Sequence, residues 1–115
     1  MTVDELIAAT GFAAVVLADG GQTVTGGFVG DRPSEAIAKA REGCALITSL
    51  PNTAMAAAAY GTMASCLILT GGVTPGEDLV QAACGHEVNL LQSPAGAFET
   101  AVLVGRALEK GTGAT

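Results

Sequence analysis

Three short apolar runs recur at a fixed interval in the second half of the chain. They begin at residues 44, 66 and 88, with the sequences CALITSLPN, CLILTGGVTP and VNLLQSPAG. Each run is continuously apolar, as in a strand buried on both faces, and each leads through a turn that contains a proline into a helical stretch. Three consecutive strand–helix units predict a parallel sheet with right-handed crossovers. The interval is also about the length that a compact strand–helix unit needs, so it does not require an internal duplication.

The first half of the chain adds helices and strands of its own. Thr2 starts a capping-box pattern, which begins a helix, and Gly11 ends that helix. Pro33 suits the first turn of a second helix. The predicted elements are a helix over 3–9, a buried strand over 12–18, a strand that starts at 22 and passes into a glycine run ending at 30, and helices over 33–43, 52–63, 76–84 and 94–110.

These elements predict an α/β fold, a small single-domain sandwich with a mainly parallel sheet of strand–helix units. The chain has 115 residues, too few for two domains that each bury a core. We therefore assign 1–110 to one domain and 111–115 to a flexible C-terminal tail. Because only 3% of the residues are aromatic, the core must consist of Ala, Val, Leu and Ile. Its helix stripes are expected to contain Ala36, Ile37 and Ala40, and in the last helix Phe98, Ala101, Gly105 and Leu108.

Charge and composition exclude several classes of function. The net charge is -6 and only five residues are Lys or Arg, so binding to nucleic acid or to an anionic membrane is disfavoured. No apolar run reaches the length of a membrane span, and the acidic N-terminus does not resemble a signal peptide. The three cysteines form no CxxC motif, which predicts small buried apolar side chains in a reducing cytoplasm.

The helical stretch 52–63 is apolar on almost every side. A helix of this kind is buried on more than one face, although this one is too short to span a membrane. In so small a domain a symmetric homodimer would cover the second face most simply. The alternative is that the neighbouring N-terminal elements cover it. Tyr60 in this stretch fits an interface or an ordinary half-buried position.

The loops at the carboxyl ends of the strands form the candidate ligand site, because open parallel sheets bind ligands at this edge. Neither a Walker A loop nor a GxGxxG fingerprint is present, so no nucleotide motif is complete. Two Thr-Gly-Gly segments remain, in which glycine N–H groups could bind an anion or glycine could simply supply positive φ. The candidate ligand-binding residues are Thr25, Gly26, Gly27, Asp31, Thr48, Asn52, Thr70, Gly71, Gly72 and Ser93.

Several of these residues also have ordinary structural roles. Asn52 and Ser93 are candidate helix N-caps, and Asp31 is expected to cap the helix that follows it, with cation or ribose binding as the alternative. The single histidine, His86, lies two residues after Cys84 with no further ligand nearby, so neither a metal site nor Cys–His catalysis is indicated. The sequence therefore predicts no enzyme, no cofactor and no metal site.

A family resemblance covers about residues 22–110. VTGGFVGDRPSEAIAKAREG, followed by ALIT…PNTAMAAAAY, LILTGG…P and LLQSPAGAFETA, resembles the DRTGG domain family. The chain departs from the name-giving motif, because Thr23 and Val24 stand where the family has Asp and Arg. The resemblance implies a fold like the N-terminal domain of HPr kinase/phosphorylase. It also implies a non-catalytic module of the kind that accompanies phosphotransacetylases and CBS-containing pyrophosphatases.

The expected function is that of a regulatory module that binds a ligand or dimerises. Its ligand would be small, anionic and nucleotide-like, and the resemblance links stand-alone members to iron-hydrogenase and redox gene clusters. The alternative is a pure interaction subunit that docks on a redox enzyme and binds no small molecule. A small enzyme is the third possibility, and nothing in the sequence supports it.

Overall fold

The computed structural model describes the backbone of residues 1–113 and the side chains of residues 1–110. Five strands form one sheet in the order β1-β5-β4-β3-β2, in which β1 is antiparallel to β5 and the other neighbours are parallel. In chain order the elements are α1 Val3–Thr10, β1 Ala13–Val16, β2 Gly26–Val29, α2 Pro33–Lys39, β3 Cys44–Thr48, α3 Thr53–Gly61, β4 Cys66–Leu69, α4 Glu77–Gly85, β5 Leu90–Gln92 and α5 Ala97–Gly113.

The sheet lies between two layers of helices, as the predicted α/β sandwich requires. On one face α2, α3 and α4 pack over side chains such as Leu46 and Leu67, and on the other α1 and α5 pack over Ile47 and Ile68. The central strands β3 and β4 are buried on both faces, which explains why their sequences are continuously apolar. The predicted fold class is therefore confirmed.

Local signals fix the ends of several elements. Thr2 and Glu5 form the predicted capping box, with N–H···O distances of 2.9 and 3.1 Å, and Gly11 ends α1 in the left-handed region at φ 76°. Asn52 caps α3 by accepting a hydrogen bond from the N–H of Ala54. α5 continues through 111–113, part of the stretch assigned to a flexible tail, whereas 114–115 lie outside the described residues.

The two N-terminal strands differ from the sequence prediction. β1 is an antiparallel edge strand in which Ala13 and Ala14 are exposed, so it is not the buried strand that its apolar sequence suggested. Residues 22–25 are not part of a named strand, and Gly26 and Gly27 instead lie inside β2, where they pair with Cys44 and Ala45. An edge strand accepts glycine here because only one of its sides must pair.

Outside the predicted buried strand, Ile37, Phe98 and Cys84 were also expected to be buried and are exposed. Ile37 is 59% exposed, because α2 is short and only Ala36 on its inner side is fully buried. Phe98 is 81% exposed, since the stripe of α5 that faces the sheet consists of Thr100, Val104 and Ala107. Cys84 is also exposed, whereas the other two cysteines are buried.

The apolar helix α3 is explained by contacts within the chain. It packs between α2 and α4 and against β4, and Met55, Ala56, Ala58 and Ala59 are fully buried. Of these covering elements α2 precedes the helix, whereas α4 and β4 follow it, so the alternative that N-terminal elements cover it holds only for α2. Because elements of the same chain cover this helix, its sequence is no argument for a dimer. No helix in the described part of the chain has the length and apolar character of a membrane span.

Candidate functional site

The carboxyl ends of the four parallel strands meet at one edge of the sheet, here called the carboxyl edge. Hydrogen bonds connect neighbouring loops there, because the Thr70 N–H donates to the Thr48 carbonyl and the Ser93 N–H donates to the Leu69 carbonyl. The predicted ligand-binding residues that lie at this edge are Asp31, Thr48, Asn52, Thr70, Gly71, Gly72 and Ser93.

Asp31 joins the loop after β2 to the loop after β3. Its carboxylate accepts hydrogen bonds from the Thr48 hydroxyl at 2.8 Å, the Ser49 N–H at 2.9 Å and the Ser49 hydroxyl at 2.9 Å. These donors, with the backbone bond from Ser49 first, lower the pKa of Asp31 below its ordinary value. The expectation that Asp31 caps α2 is wrong, since Arg32 occupies the cap position and makes no side-chain cap bond.

The glycine pair after β4 forms a tight turn. Gly71 and Gly72 have φ values of 75° and 69°, a region that side chains strain to adopt. Their N–H groups already donate to the carbonyls of Ala95, at 2.6 Å, and Ser93, at 3.0 Å. An anion at the carboxyl edge would therefore need other donors. The prediction that glycine supplies a positive φ is correct for Gly71 and Gly72. Gly26 and Gly27 do not have a positive φ.

Ser93 is buried in the loop after β5. Its hydroxyl lies 2.8 Å from the Thr100 hydroxyl and accepts a bond from the Ala95 N–H. α5 begins only at Ala97, so the expectation that Ser93 caps this helix is not met. Ser93 and Thr100 instead hold the start of α5 against the sheet.

A shallow depression of about 440 Å³ lies at the carboxyl edge between the first turns of α3 and α4. Asn52 lines one side, and Gly76, which begins α4 without a side-chain cap bond, lines the other. Glu77 and Asp78 lie in the first turn of α4, and Arg32 is the basic residue that follows β2 at this edge. Uncapped N–H groups favour an anion, whereas the two carboxylates oppose it.

The Thr25-Gly26-Gly27 segment lies at the opposite edge from the other candidates. Thr25 precedes β2, where its N–H donates to the Gly43 carbonyl and its hydroxyl to the Glu42 carbonyl. The structure therefore does not bring the two Thr-Gly-Gly segments together. Sequence alone placed both in loops, because glycine pairs mark turns more often than strands.

The amino ends of the parallel strands border a larger depression, of about 670 Å³, here called the amino-edge depression. Tyr60 and His86 stack on its rim with ring centroids 4.7 Å apart and an interplanar angle of 26°. Glu42 and Glu87 also line it, and its thirteen lining residues include no Lys or Arg. No pattern in the sequence indicated that Tyr60 and His86 would stack.

Two residues at the amino-edge depression have an unusual backbone conformation. Met63 and Glu87, which follow the C-terminal ends of α3 and α4, adopt φ values of 58° and 56°. They are the two non-glycine residues with positive φ in the described chain, and both line the depression. This conformation costs about 1–2 kcal/mol for a residue with a side chain, so strain is concentrated at this surface.

No metal centre is assembled among the described residues. No three His, Cys, Asp or Glu side chains come together in a way that could hold a metal ion among them. Burial raises the pKa of the Cys66 thiol to about 12, which suppresses thiolate chemistry there. The described chain has two depressions at opposite ends of the parallel strands and a third, of about 610 Å³, between α1 and α5, where Arg106 and Lys110 are among the lining residues.

Comparison with known proteins gives a family and a fold. The model of the DRTGG domain family matches residues 7–107. The fold is similar to a crystal structure of the CBS and DRTGG domains of the regulatory region of Clostridium perfringens pyrophosphatase, complexed with its activator diadenosine tetraphosphate. The two are 18% identical with a TM-score of 0.73, over 93% of this chain and 47% of that one. This chain thus spans about half of that regulatory region, and no curated protein matches it.

Proposed function

The chain belongs to the DRTGG domain family, and we propose that it is a non-catalytic regulatory module that responds to a small ligand. The observation that carries this proposal is the similarity of 93% of the chain to the regulatory region of a pyrophosphatase. That region regulates an enzyme, and we propose a comparable role for this chain.

The ligand class that we propose is small, anionic and nucleotide-like. The regulatory region of the pyrophosphatase binds diadenosine tetraphosphate, but it contains CBS domains as well, and this chain spans 47% of it. In this chain we propose the depression between α3 and α4 at the carboxyl edge. The N–H groups at the start of α4 would meet the phosphates and Asn52 would offer a polar contact. Arg32, at the N-cap of α2 on the same edge, does not line this depression and would meet phosphates that extend beyond it.

The charges at the carboxyl edge limit the strength of this binding. Asp31, Glu77 and Asp78 all lie in its loops or first helical turns and would repel phosphate. Arg32, at the N-cap of α2 on the same edge, is the cation that the proposal assigns to the phosphates of the ligand. A ligand with a compact phosphate and a large base would fit these charges better than a bare phosphate ion, because most of its contact would be uncharged.

Isothermal titration calorimetry with diadenosine tetraphosphate, ATP and AMP tests this site. We expect saturable binding of at least one of them, weakened about tenfold by Arg32→Ala, since a charged hydrogen bond contributes roughly 1.5–3 kcal/mol. Arg106→Ala is the matched control, because it removes the same charge from an exposed position on α5. Binding that is absent for all three nucleotides, or that both variants weaken equally, would contradict the proposal.

A homodimer is part of the same proposal. Exposed apolar side chains support it, because Phe98 and Val29 are 81% and 49% exposed and lie on α5 and on the edge strand β2, which pack together. The second candidate function, an interaction subunit in the cytoplasm that docks on a redox enzyme, rests on the same exposed residues. Sedimentation velocity and a pull-down from native lysate, each carried out on the wild-type protein and on Phe98→Ser, distinguish the homodimer from the interaction subunit. A dimer lost in this variant favours the first, and a captured redox enzyme the second.

A further inference from the structure

The amino-edge depression combines carboxylates with the C-terminal ends of helices. Glu42 and Glu87 line it, and none of its lining residues is Lys or Arg. The helices α2, α3 and α4 all end toward this edge, because each runs back from the carboxyl edge to the start of the next strand. The C-terminal ends of helices carry partial negative charge. Carboxylates and helix ends therefore act together to make this surface attractive to a cation.

The stacked rings of Tyr60 and His86 add an aromatic surface on the rim. Tyr60 is 59% exposed although it is stacked on His86, so part of its ring remains open to a ligand. Aromatic faces attract ammonium and guanidinium groups, and guanidinium groups also stack on them. Ala59, Ala64 and Val88 are buried or nearly so and give the depression an apolar floor. The exposed Met63 side chain supplies a polarisable wall beside it.

From these features we propose that the amino-edge depression binds an organic cation, an ammonium or guanidinium group carried on an apolar stem. The charged group would lie between the two carboxylates and the Tyr60 ring, and the stem would lie over Ala59 and Val88. The volume of about 670 Å³ is in the range of small-molecule sites, so a complete small ligand or one side chain of another protein fits.

The strained backbone at Met63 and Glu87 is consistent with a binding role, and the proposal does not depend on it. Glycine would relieve the strain at both positions, and the loop after α2 does have a glycine with positive φ, Gly43 at 81°. After α3 and α4 the residues with positive φ are instead Met63 and Glu87, whose thioether and carboxylate lie at the depression. Both side chains belong to the proposed site.

The site is independent of the nucleotide-like ligand proposed above. The two depressions lie at opposite edges of the sheet and share no lining residue. A failure of nucleotide binding would leave the cation site standing, and the reverse holds as well.

Nuclear magnetic resonance of the ¹⁵N-labelled protein tests the proposal with two probes. Agmatine carries a guanidinium and an ammonium group on an alkyl chain, and N-acetyl-arginine methylamide presents the guanidinium as part of a peptide. We expect amide shifts concentrated at Gly43, Met63 and Glu87, and nuclear Overhauser effects from the probe methylenes to the Tyr60 ring. Tighter binding of agmatine would indicate a free amine as the natural ligand, and tighter binding of the blocked arginine a protein partner.

Charge-matched variants separate this site from general attraction to an acidic protein. Glu42→Gln with Glu87→Gln should weaken agmatine binding about tenfold at low ionic strength, whereas Glu77→Gln with Glu99→Gln removes the same charge and should leave it unchanged. Tyr60→Leu should weaken it about threefold. Equal effects of the two double variants, or shifts that sodium chloride at the same ionic strength reproduces, would overturn the proposal.

Discussion

Asn89 connects three parts of the fold, and its removal gives the sharpest test of the packing described here. It is fully buried immediately before β5. Its side-chain oxygen accepts a hydrogen bond from the Asp19 N–H at 2.8 Å, and its amide nitrogen donates to the carbonyls of Asp19 at 2.8 Å and Ser65 at 2.9 Å. One side chain therefore ties the segment after β1 to the residue before β4.

Asn89→Ala leaves these backbone groups without partners in a buried region. At roughly 0.5–1.5 kcal/mol for each of the three hydrogen bonds, the free energy of unfolding should fall by about 1.5–4.5 kcal/mol. A domain of this size is stable by about 5–15 kcal/mol, so the loss is a large fraction of the total. Asn89→Asp should be at least as harmful, because a carboxylate cannot donate to the two carbonyls.

Urea unfolding followed by circular dichroism measures the effect, with Asn52→Ala as the matched control. Asn52 is exposed and caps α3 with a single bond to the Ala54 N–H, so its loss should lower the free energy of unfolding by only about 1 kcal/mol. The midpoint should move while the slope stays constant. An effect of Asn89→Ala no larger than that of Asn52→Ala would refute the reasoning.

Three further predictions concern Asp31, Met63 and Phe98. Asp31→Asn should lower the free energy of unfolding by about 1 kcal/mol at neutral pH after allowance for solvent screening. Because the folded-state pKa of Asp31 is lowered, the carboxylate stabilises the fold at pH values above the ordinary pKa of Asp, and this stabilisation disappears as the pH falls through the folded-state pKa. The unfolding curves of the wild-type protein and of Asp31→Asn should therefore converge in acid. A difference between the two curves that persists in acid would contradict this prediction. Met63→Gly should leave the free energy of unfolding unchanged or raise it by up to about 1 kcal/mol in urea unfolding, whereas a clear loss would show that φ is not positive at this position. Phe98→Ser should change it by less than about 0.5 kcal/mol, and a loss above about 2 kcal/mol would place this side chain in a core.

The sequence predicts the fold well where the pattern is regular. The continuous apolar runs at 44 and 66 are strands buried on both faces, because helices cover the sheet on each side. The sequence predicts burial less well at the edges of the sheet, because an edge strand has a neighbouring strand on one side only. β1 reads as a buried strand from FAAVVLA, but its place at the end of the sheet leaves Ala13 and Ala14 exposed. For the same reason the sequence could not show that Phe98 lies on the outer side of α5.

The candidate sites were predictable only in part. The order of strand–helix units places Asp31, Thr48 and Thr70 at one edge, and the structure agrees. The partners of Asp31 depend on the meeting of two loops, which no local pattern encodes. The amino-edge depression was out of reach for a similar reason, because the Tyr60–His86 stack joins residues from the ends of different helices. Gly61 and Gly85 suggest where those helices end, but the residues with positive φ are Met63 and Glu87.

Native mass spectrometry of the gently purified protein, with and without added diadenosine tetraphosphate, tests the central claim most directly, since it reports subunit number and bound ligand together. A regulatory module of the kind proposed should appear as a dimer that retains a small anionic ligand, or that takes up the added nucleotide stoichiometrically. A monomer that carries no ligand and gains no mass at any nucleotide concentration tested would contradict the account.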